Sequence, residues 1–240
     1  MAWKVLVTPR TFGKVDPEPV RLLEEAGCDL VRNPLDRPLT EEELLNLVTD
    51  VDGIIVGLDP VTANVIEQAS KLKVISKYGV GINNIDLETA AKRGITVTYT
   101  PGANSAAVAE LALGLMLNVA RQIATSDRKL RSGEWGRYSG VELGGKTVGI
   151  VGTGRIGREL AARVKGFMRI ICFDLYPDQA WARETGAEYL SLPEVLAQAD
   201  FISLHLPLTP ETHHLIGQKE LALMKPDAII INTARGGRHQ

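Results

Sequence analysis

Lys146-Thr147-Val148-Gly149-Ile150-Val151-Gly152-Thr153-Gly154-Arg155-Ile156-Gly157-Arg158-Glu159-Leu160, with Ile170-Ile171-Cys172-Phe173-Asp174 farther on, is the stretch that decides the fold. The apolar run Val148, Ile150, Val151 ends in Gly152-x-Gly154-x-x-Gly157; a helix-like segment follows, and a second apolar run stops at Asp174. Gly152 permits a tight strand-to-helix turn, Gly154 lets backbone approach a pyrophosphate, and Gly157 lets the helix lie close against a sheet. The helix N-terminus adds unpaired N–H groups and a partial positive charge. Asp174 lies 17 residues beyond Gly157, about where a carboxylate reaches an adenosine ribose. Glycines alone mark only a turn; strand before, helix after and acid beyond together predict a dinucleotide site. An aspartate there bonds a 2′-hydroxyl and repels a 2′-phosphate, so the expected cofactor is NAD rather than NADP.

Working outward, 240 residues suffice for one large or two modest domains that bury most of their apolar surface. Hydrophobic residues make up 45% and charged residues 23%, the balance of an ordinary soluble globular chain. A net charge of −2 gives no electrostatic reason to expect a nucleic acid or an acidic membrane surface as partner. Cys28 and Cys172 have no metal-ligand spacing and read as buried free thiols of a reducing, cytoplasmic compartment. The N-terminal apolar run Trp3–Val7 is too short for a signal peptide and reads as a first strand. The most apolar stretch, 105–120, carries Glu110 and Asn118 and falls short of the ~20 residues that span a bilayer. A helix buried on most sides is the expectation there.

The first hundred residues alternate β-branched runs with helical patterns. Strands are expected over 4–8, 28–32, 53–56, 74–77 and 95–99, and helices over 19–26, 41–48, 62–69 and 87–93. Thr40 with Glu43 has capping-box spacing, and Gly27 and Gly94 stand where helix stops belong. Such alternation implies a parallel sheet covered by helices. Pro101-Gly102 breaks the pattern, a long helix over 103–121 begins with Asn104 or Ser105 as its cap, and 131–145 reads as a glycine-rich loop. A second series of strands is expected over 147–151, 170–174, 187–189, 201–204 and 228–232. The fold class is therefore α/β, with domains at 1–102 and 103–240.

Four stretches, in order, resemble the NAD-dependent D-isomer-specific 2-hydroxyacid dehydrogenases, and within them the phosphoglycerate dehydrogenase-like branch. They are Lys77-Tyr78-Gly79-Val80-Gly81-Ile82-Asn83-Asn84-Ile85-Asp86, Thr100-Pro101-Gly102-Ala103-Asn104-Ser105 through Glu110, the glycine fingerprint, and Asn232-Thr233-Ala234-Arg235-Gly236-Gly237. The resemblance implies two doubly wound parallel-sheet domains: a flavodoxin-like substrate domain and an incomplete Rossmann NAD domain. It implies an oxidoreductase that moves a hydride between NAD and C2 of a 2-hydroxy or 2-keto acid of the 3-phosphoglycerate, hydroxypyruvate or glyoxylate class. Arg235 would bind the substrate carboxylate and polarise the keto oxygen, as a permanently charged, two-pronged guanidinium can. Gly79, Val80 and Gly81 would hold the carboxylate through backbone N–H groups, with a plain structural turn as the alternative. Gly152, Gly154, Arg155, Ile156 and Gly157 would meet the pyrophosphate, Asp174 the ribose, Leu206, Pro207 and Thr212 the adenosine, and Thr233 and Ala234 the nicotinamide. Relatives pair through the apolar helix at 103–121, so a homodimer is implied. Asn104 and Glu110 are equally well read as a helix cap and a buried polar anchor, and Tyr78 and Trp135 as packing residues.

The family pattern also includes an acid–base histidine and its carboxylate partner beyond the arginine loop, and the sequence ends at Gln240 before either position. His205, His213, His214 and His239 stand elsewhere, and adjacent histidines make poor metal ligands; no metal is expected. Arg238-His239-Gln240 departs from the aliphatic-acidic continuation, so a C-terminally truncated chain is expected. Losing acid–base help costs on the order of 10²–10⁴-fold in rate, which leaves a non-catalytic NAD-binding regulatory protein and an inert fragment as alternatives. No arginine cluster stands out in the first domain to mark a substrate phosphate.

Overall fold

Valine and isoleucine favour strands because their branched side chains fit a pleated, half-buried surface. In the computed structural model, which describes residues 2–234, these runs form two parallel sheets. The chain divides after Ala103 into two compact units. In the first, β1 (Trp3–Val7), β2 (Cys28–Arg32), β3 (Gly53–Val56), β4 (Val74–Lys77) and β5 (Thr96–Thr98) lie in the order β2-β1-β3-β4-β5. All neighbours are parallel. The crossovers are α1 (Glu18–Glu25), α2 (Glu41–Leu47), α3 (Ala63–Gln68) and α4 (Leu87–Lys92). This is the flavodoxin-like order. One face buries Leu6, Ile54 and Ile75 against Leu44, Val65 and Ile66, and the other packs Val5, Val7 and Phe12 against Val20 and Leu23.

The second unit opens with α5 (Ser105–Ala120) and α6 (Ile123–Arg131). Then follow β6 (Thr147–Val151), α7 (Arg155–Val164), β7 (Arg169–Phe173), α8 (Gln179–Thr185), β8 (Glu188–Tyr189), α9 (Leu192–Gln198), β9 (Phe201–Leu204), α10 (Gln218–Leu223) and β10 (Ile229–Asn232). The sheet order β10-β9-β6-β7-β8 supplies five strands of the Rossmann arrangement. Ala109, Ala112 and Met116 of α5 and Leu160 and Val164 of α7 cover one face, and Val195 and Leu196 of α9 the other. Helices on both faces explain why the strands read as continuous apolar runs.

Three details depart from the sequence reading. Helix α6 was not foreseen; its second N–H group, on Ala124, is satisfied by the Asn118 side chain at 2.8 Å, a partner in the preceding helix. Helix α5 buries one face of small residues but leaves Leu111 56% exposed, with Leu117 and Val119 also exposed. Cys28 is only half-buried, whereas Cys172 is fully buried. No single helix among the described residues is long and apolar enough to cross a membrane; α5 and α6 qualify only jointly and are bent by 64°.

The capping box of α2 forms as its spacing requires: Thr40 accepts from the Glu43 N–H, and the Glu43 carboxylate accepts from the Thr40 N–H at 2.9 Å. The Arg37 guanidinium, with the Thr40 N–H second, holds the Glu43 carboxyl down at about 2 against an ordinary 4.5. The folded value lies below the unfolded one, so this stabilisation is complete above about 4.5 and is lost as pH falls toward 2. A carbon-detected NMR titration is expected to place the Glu43 midpoint near 2, and Arg37→Ala to move it upward. An ordinary midpoint with Arg37 in place would contradict the pairing.

Candidate functional site

Strand register builds the nucleotide site. Phe173 pairs with Val151, Val151 with Leu204 and Leu204 with Asn232, so β7, β6, β9 and β10 end on one line. One residue farther on, Asp174, Gly152, His205 and Thr233 form the next row. Neighbouring strands lie about 4.8 Å apart, so Asp174 and Thr233 stand three spacings, roughly 14 Å, from each other. The sheet order reverses between β6 and β9, which makes this row the topological switch point where open α/β sheets bind ligands.

The three fingerprint glycines have different causes. Gly152 has φ +98°, and a Cβ there would stand 2.9 Å from the His205 carbonyl oxygen and from Leu206 Cδ2. At Gly157 a Cβ would stand 2.1 Å from the Gly152 carbonyl oxygen, so this residue must be glycine for α7 to reach the sheet. Gly154 is unlike both. Its φ of −66° suits any residue, and a Cβ would meet nothing within 4 Å. The fold gives no reason for glycine there, whereas a phosphate at the start of α7 does. The first N–H groups of this helix have no intrahelical partner and lie at the positive end of the helix dipole.

Asp174 is braced where the sequence put it. Its Oδ2 accepts from the Thr153 N–H at 2.7 Å and the Thr153 hydroxyl at 3.0 Å, and its Oδ1 accepts from the Tyr176 N–H at 2.9 Å. A carboxylate has about four lone-pair directions, so one remains for an incoming hydroxyl. The Thr153 hydroxyl also meets the Tyr189 hydroxyl at 2.8 Å, and the Thr153 carbonyl accepts from Arg158 Nε at 3.0 Å. Arg158 is further tied to Asp178 at 2.9 Å and lies over the Trp181 ring, while Arg155 is exposed at the first position of α7. Sequence reading missed Thr153, Arg158 and Tyr189; the only signal was the position of Thr153 inside the glycine motif. Beside them, burial and the charges of Asp174 and Glu188 push the Cys172 thiol up to about 12.

After β9, Leu206 lies against Gly152, and the Thr212 hydroxyl donates to the Pro207 carbonyl at 2.6 Å and accepts from the Thr209 N–H at 2.8 Å. This closes the loop into a fixed shape beside the glycine turn. His205 Nε2 is held by the Ser203 hydroxyl at 2.9 Å, and His213 and His214 stack on each other with both side chains exposed. At the far end of the row the Thr233 hydroxyl is buried without a hydrogen-bond partner among the described residues, and the Ala234 N–H donates to Asn232 Oδ1 at 3.0 Å. An orphaned buried hydroxyl costs free energy unless a ligand satisfies it. Arg235, Gly236, Gly237 and His239 lie outside the described residues.

In the first unit, Gly79-Val80-Gly81 follows β4. The Gly79 carbonyl accepts from the Thr100 N–H at 3.2 Å and its hydroxyl at 3.1 Å, which pins the start of the turn. Neither the Val80 nor the Gly81 N–H donates a hydrogen bond among the described residues. Beneath the turn, Lys77 is 5% exposed; its ammonium donates to the Gly57 carbonyl and to Asn84 Oδ1 at 2.7 Å. Asn84 Nδ2 reaches the Gly57 and Asp59 carbonyls at 3.1 and 2.6 Å. Asp59, 1% exposed, accepts from the Thr8 hydroxyl and from the Leu39 and Gly57 N–H groups. Asn104 stands at the N-cap of α5 without a side-chain cap bond, and Glu110 is 68% exposed and pairs with Arg163 at 3.0 Å. Tyr78 meets Phe12 edge-on, but Trp135 is 87% exposed and packs on nothing in the chain's core.

The profile of the D-isomer specific 2-hydroxyacid dehydrogenase NAD binding domain matches residues 113–240. The D-3-phosphoglycerate dehydrogenase of Methanocaldococcus jannaschii is 46% identical over 98% of this chain and 44% of its own length. The glyoxylate reductase of Thermococcus litoralis is 50% identical over 80% of this chain and 62% of its own length. The chain thus spans about half of one relative and under two thirds of the other. Among solved structures, D-lactate dehydrogenase from Aquifex aeolicus, complexed with NAD and lactic acid, superposes with a TM-score of 0.82 at 30% identity, over 98% of this chain and 70% of that one.

The contrast between the glycines is open to test. Gly157→Ala is expected to destabilise the second unit by several kcal/mol, as overpacking against fixed backbone does, while Gly154→Ala costs about 1 kcal/mol or less. Urea denaturation monitored by circular dichroism ranks the two, and equal losses would contradict the packing assigned to Gly157.

Proposed function

The chain belongs to the D-isomer specific 2-hydroxyacid dehydrogenase family, and from that membership we propose that it takes part in hydride transfer between NAD and C2 of a 2-hydroxy or 2-keto acid. The 3-phosphoglycerate, hydroxypyruvate and glyoxylate class is the proposed substrate range. The open face of Gly154 at the start of α7, beside Asp174, is the observation that carries the reading. Bound NAD supplies a hydride acceptor or donor at nicotinamide C4. Everything else falls to the chain's own groups. The backbone N–H groups of Gly154, Arg155 and Ile156 hold the pyrophosphate, with Gly152 and Gly157 shaping the turn beneath it. Asp174 offers its remaining lone pair to a ribose hydroxyl. Leu206, Pro207 and Thr212 wall the adenosine, while Thr233 and Ala234 serve the nicotinamide end, where the buried Thr233 hydroxyl awaits a partner.

The Val80 and Gly81 N–H groups are the proposed cradle of the substrate carboxylate in the first unit, the substrate-binding domain of this reading. Arg235 is proposed to bind the substrate carboxylate and draw electron density from the keto oxygen, making C2 a better hydride acceptor. We also propose a homodimer joined through α5, whose exposed Leu111, Leu117 and Val119 form an apolar stripe. A cytoplasmic setting suits two free thiols.

Fluorescence titration with NADH, alongside NADH oxidation by glyoxylate and hydroxypyruvate, tests the reading; absence of NADH binding would overturn it. Asp174→Ala is expected to weaken NADH by about tenfold, the worth of one charge-assisted hydrogen bond, and to narrow the preference over NADPH. Unaltered discrimination would remove Asp174 from the ribose site. Arg235→Lys is expected to lower keto-acid turnover far more than NADH affinity, since lysine lacks the planar fork. Equal losses in both would count against Arg235 as the carboxylate ligand.

A further inference from the structure

Three polar side chains that are far apart in the sequence, those of Thr153, Asp174 and Tyr189, meet beside the glycine turn. Strand register brings them together. Tyr189 belongs to the two-residue edge strand β8 and pairs with Cys172 of β7. Partners across a sheet share a face, and so do residues two apart along a strand. The phenol therefore stands on the same side of the sheet as Asp174. Thr153, 3% exposed, lies between them, with its hydroxyl 3.0 Å from Asp174 Oδ2 and 2.8 Å from the Tyr189 hydroxyl.

The direction of both bonds follows from counting hydrogens. An ionised carboxylate only accepts, so the single hydroxyl hydrogen of Thr153 goes to Asp174. The Thr153 oxygen then faces Tyr189 as an acceptor, and the Tyr189 O–H is the donor. The relay runs from Tyr189 through Thr153 to Asp174. A threonine hydroxyl with no other partner rotates to suit its surroundings; a donor behind it fixes that rotation, and each bond in such a chain polarises the next. The Tyr189 ring is itself held, packed against Trp181 with centroids 6.1 Å apart, and Trp181 lies under the Arg158 guanidinium that binds the Thr153 carbonyl. The N–H groups of Thr153 and Tyr176 also reach Asp174 and do not depend on the relay. The hydroxyls therefore supply a share of the restraint on the carboxylate, on the scale of one hydrogen bond.

We propose that Tyr189 and Thr153 are positioning residues for coenzyme choice, keeping Asp174 turned so that its remaining lone pair meets a ribose hydroxyl and its charge meets a 2′-phosphate. This rests on the NAD reading of the row and deepens it. Selectivity then belongs to three residues on separate elements, in the turn after β6, at the end of β7 and in β8, and not to the aspartate alone. Without the relay the carboxylate is freer to turn aside, which weakens its hold on the hydroxyl and its repulsion of the phosphate together. NADH affinity falls while NADPH affinity does not, and that divergence marks a positioning role. A purely structural loss lowers both alike.

Fluorescence titrations of the full chain with NADH and with NADPH are the test. Tyr189→Phe removes only the phenolic oxygen and is expected to weaken NADH about threefold, the scale of one neutral hydrogen bond, with NADPH unchanged or tighter. Thr153→Val is expected to shift the ratio in the same direction, and Thr153→Ser, which keeps the hydroxyl, to retain the native ratio. In the Asp174→Ala background, Tyr189→Phe is expected to change neither affinity. A native ratio in Tyr189→Phe or in Thr153→Val, or equal weakening of both coenzymes, would overturn the relay and leave the NAD reading standing. An undiminished Tyr189→Phe effect without Asp174 would also overturn it, because the phenol would then act by another route. Absence of NADH binding by the native chain, or a ratio indifferent to Asp174→Ala, would overturn both. Urea midpoints followed by circular dichroism identify a variant that fails to fold; the contrast between Thr153→Ser and Thr153→Val then decides without Tyr189→Phe.

Discussion

A carbonyl oxygen sets how near α7 can approach its sheet. The Gly152 oxygen lies where any side chain at Gly157 would begin, so the first turn of the helix rests directly on the strand-to-helix bend. From that contact follow the position of the helix N-terminus, the direction of its unpaired N–H groups and the open space before Gly154. Asp174 is then placed by the neighbouring strand and locked by Thr153, which sits between the two glycines. The ligand row is thus the product of one close backbone approach and one strand register, with side chains serving as braces.

The first unit solves a comparable problem with buried charge. Lys77 and Asp59 are both almost fully enclosed, at the carboxyl ends of β4 and just beyond β3, and neither is left to bare apolar surroundings. Asn84 and the Gly57 carbonyl receive the ammonium, while Thr8 and two backbone N–H groups satisfy the carboxylate. Fully connected networks of this kind fix geometry at the cost of desolvation, and removal of one member leaves a buried charge uncompensated. Here the network ties together the ends of β1, β3 and β4, beneath the Gly79–Gly81 turn.

Much of this was legible in the chain. Strand limits fall within a residue or so of the apolar runs, because branched residues bounded by glycine and polar turns have few other options. The two sheets, their parallel sense and the position of Asp174 follow from the same pattern. What the sequence concealed depends on partners distant along the chain. Helix α6 starts after Gln122 in a left-handed conformation without a glycine or proline to announce it, and its cap comes from Asn118 in the helix before. Glu110 reads as a buried anchor in an apolar helix, yet it lies on the outer face where Arg163 reaches it. Trp135 reads as a packing residue, yet its side chain stands in solvent.

The Cys172 thiol, one strand position from Phe173 and two from Asp174, carries a quieter consequence. An ordinary cysteine is half ionised near 9, but burial beside two acids raises this midpoint to about 12. In mildly alkaline solution the end of β7 therefore bears the aspartate's single negative charge and no second one. A thiolate there would have added a second negative charge beside Asp174 and invited oxidation; a neutral, enclosed sulfur does neither.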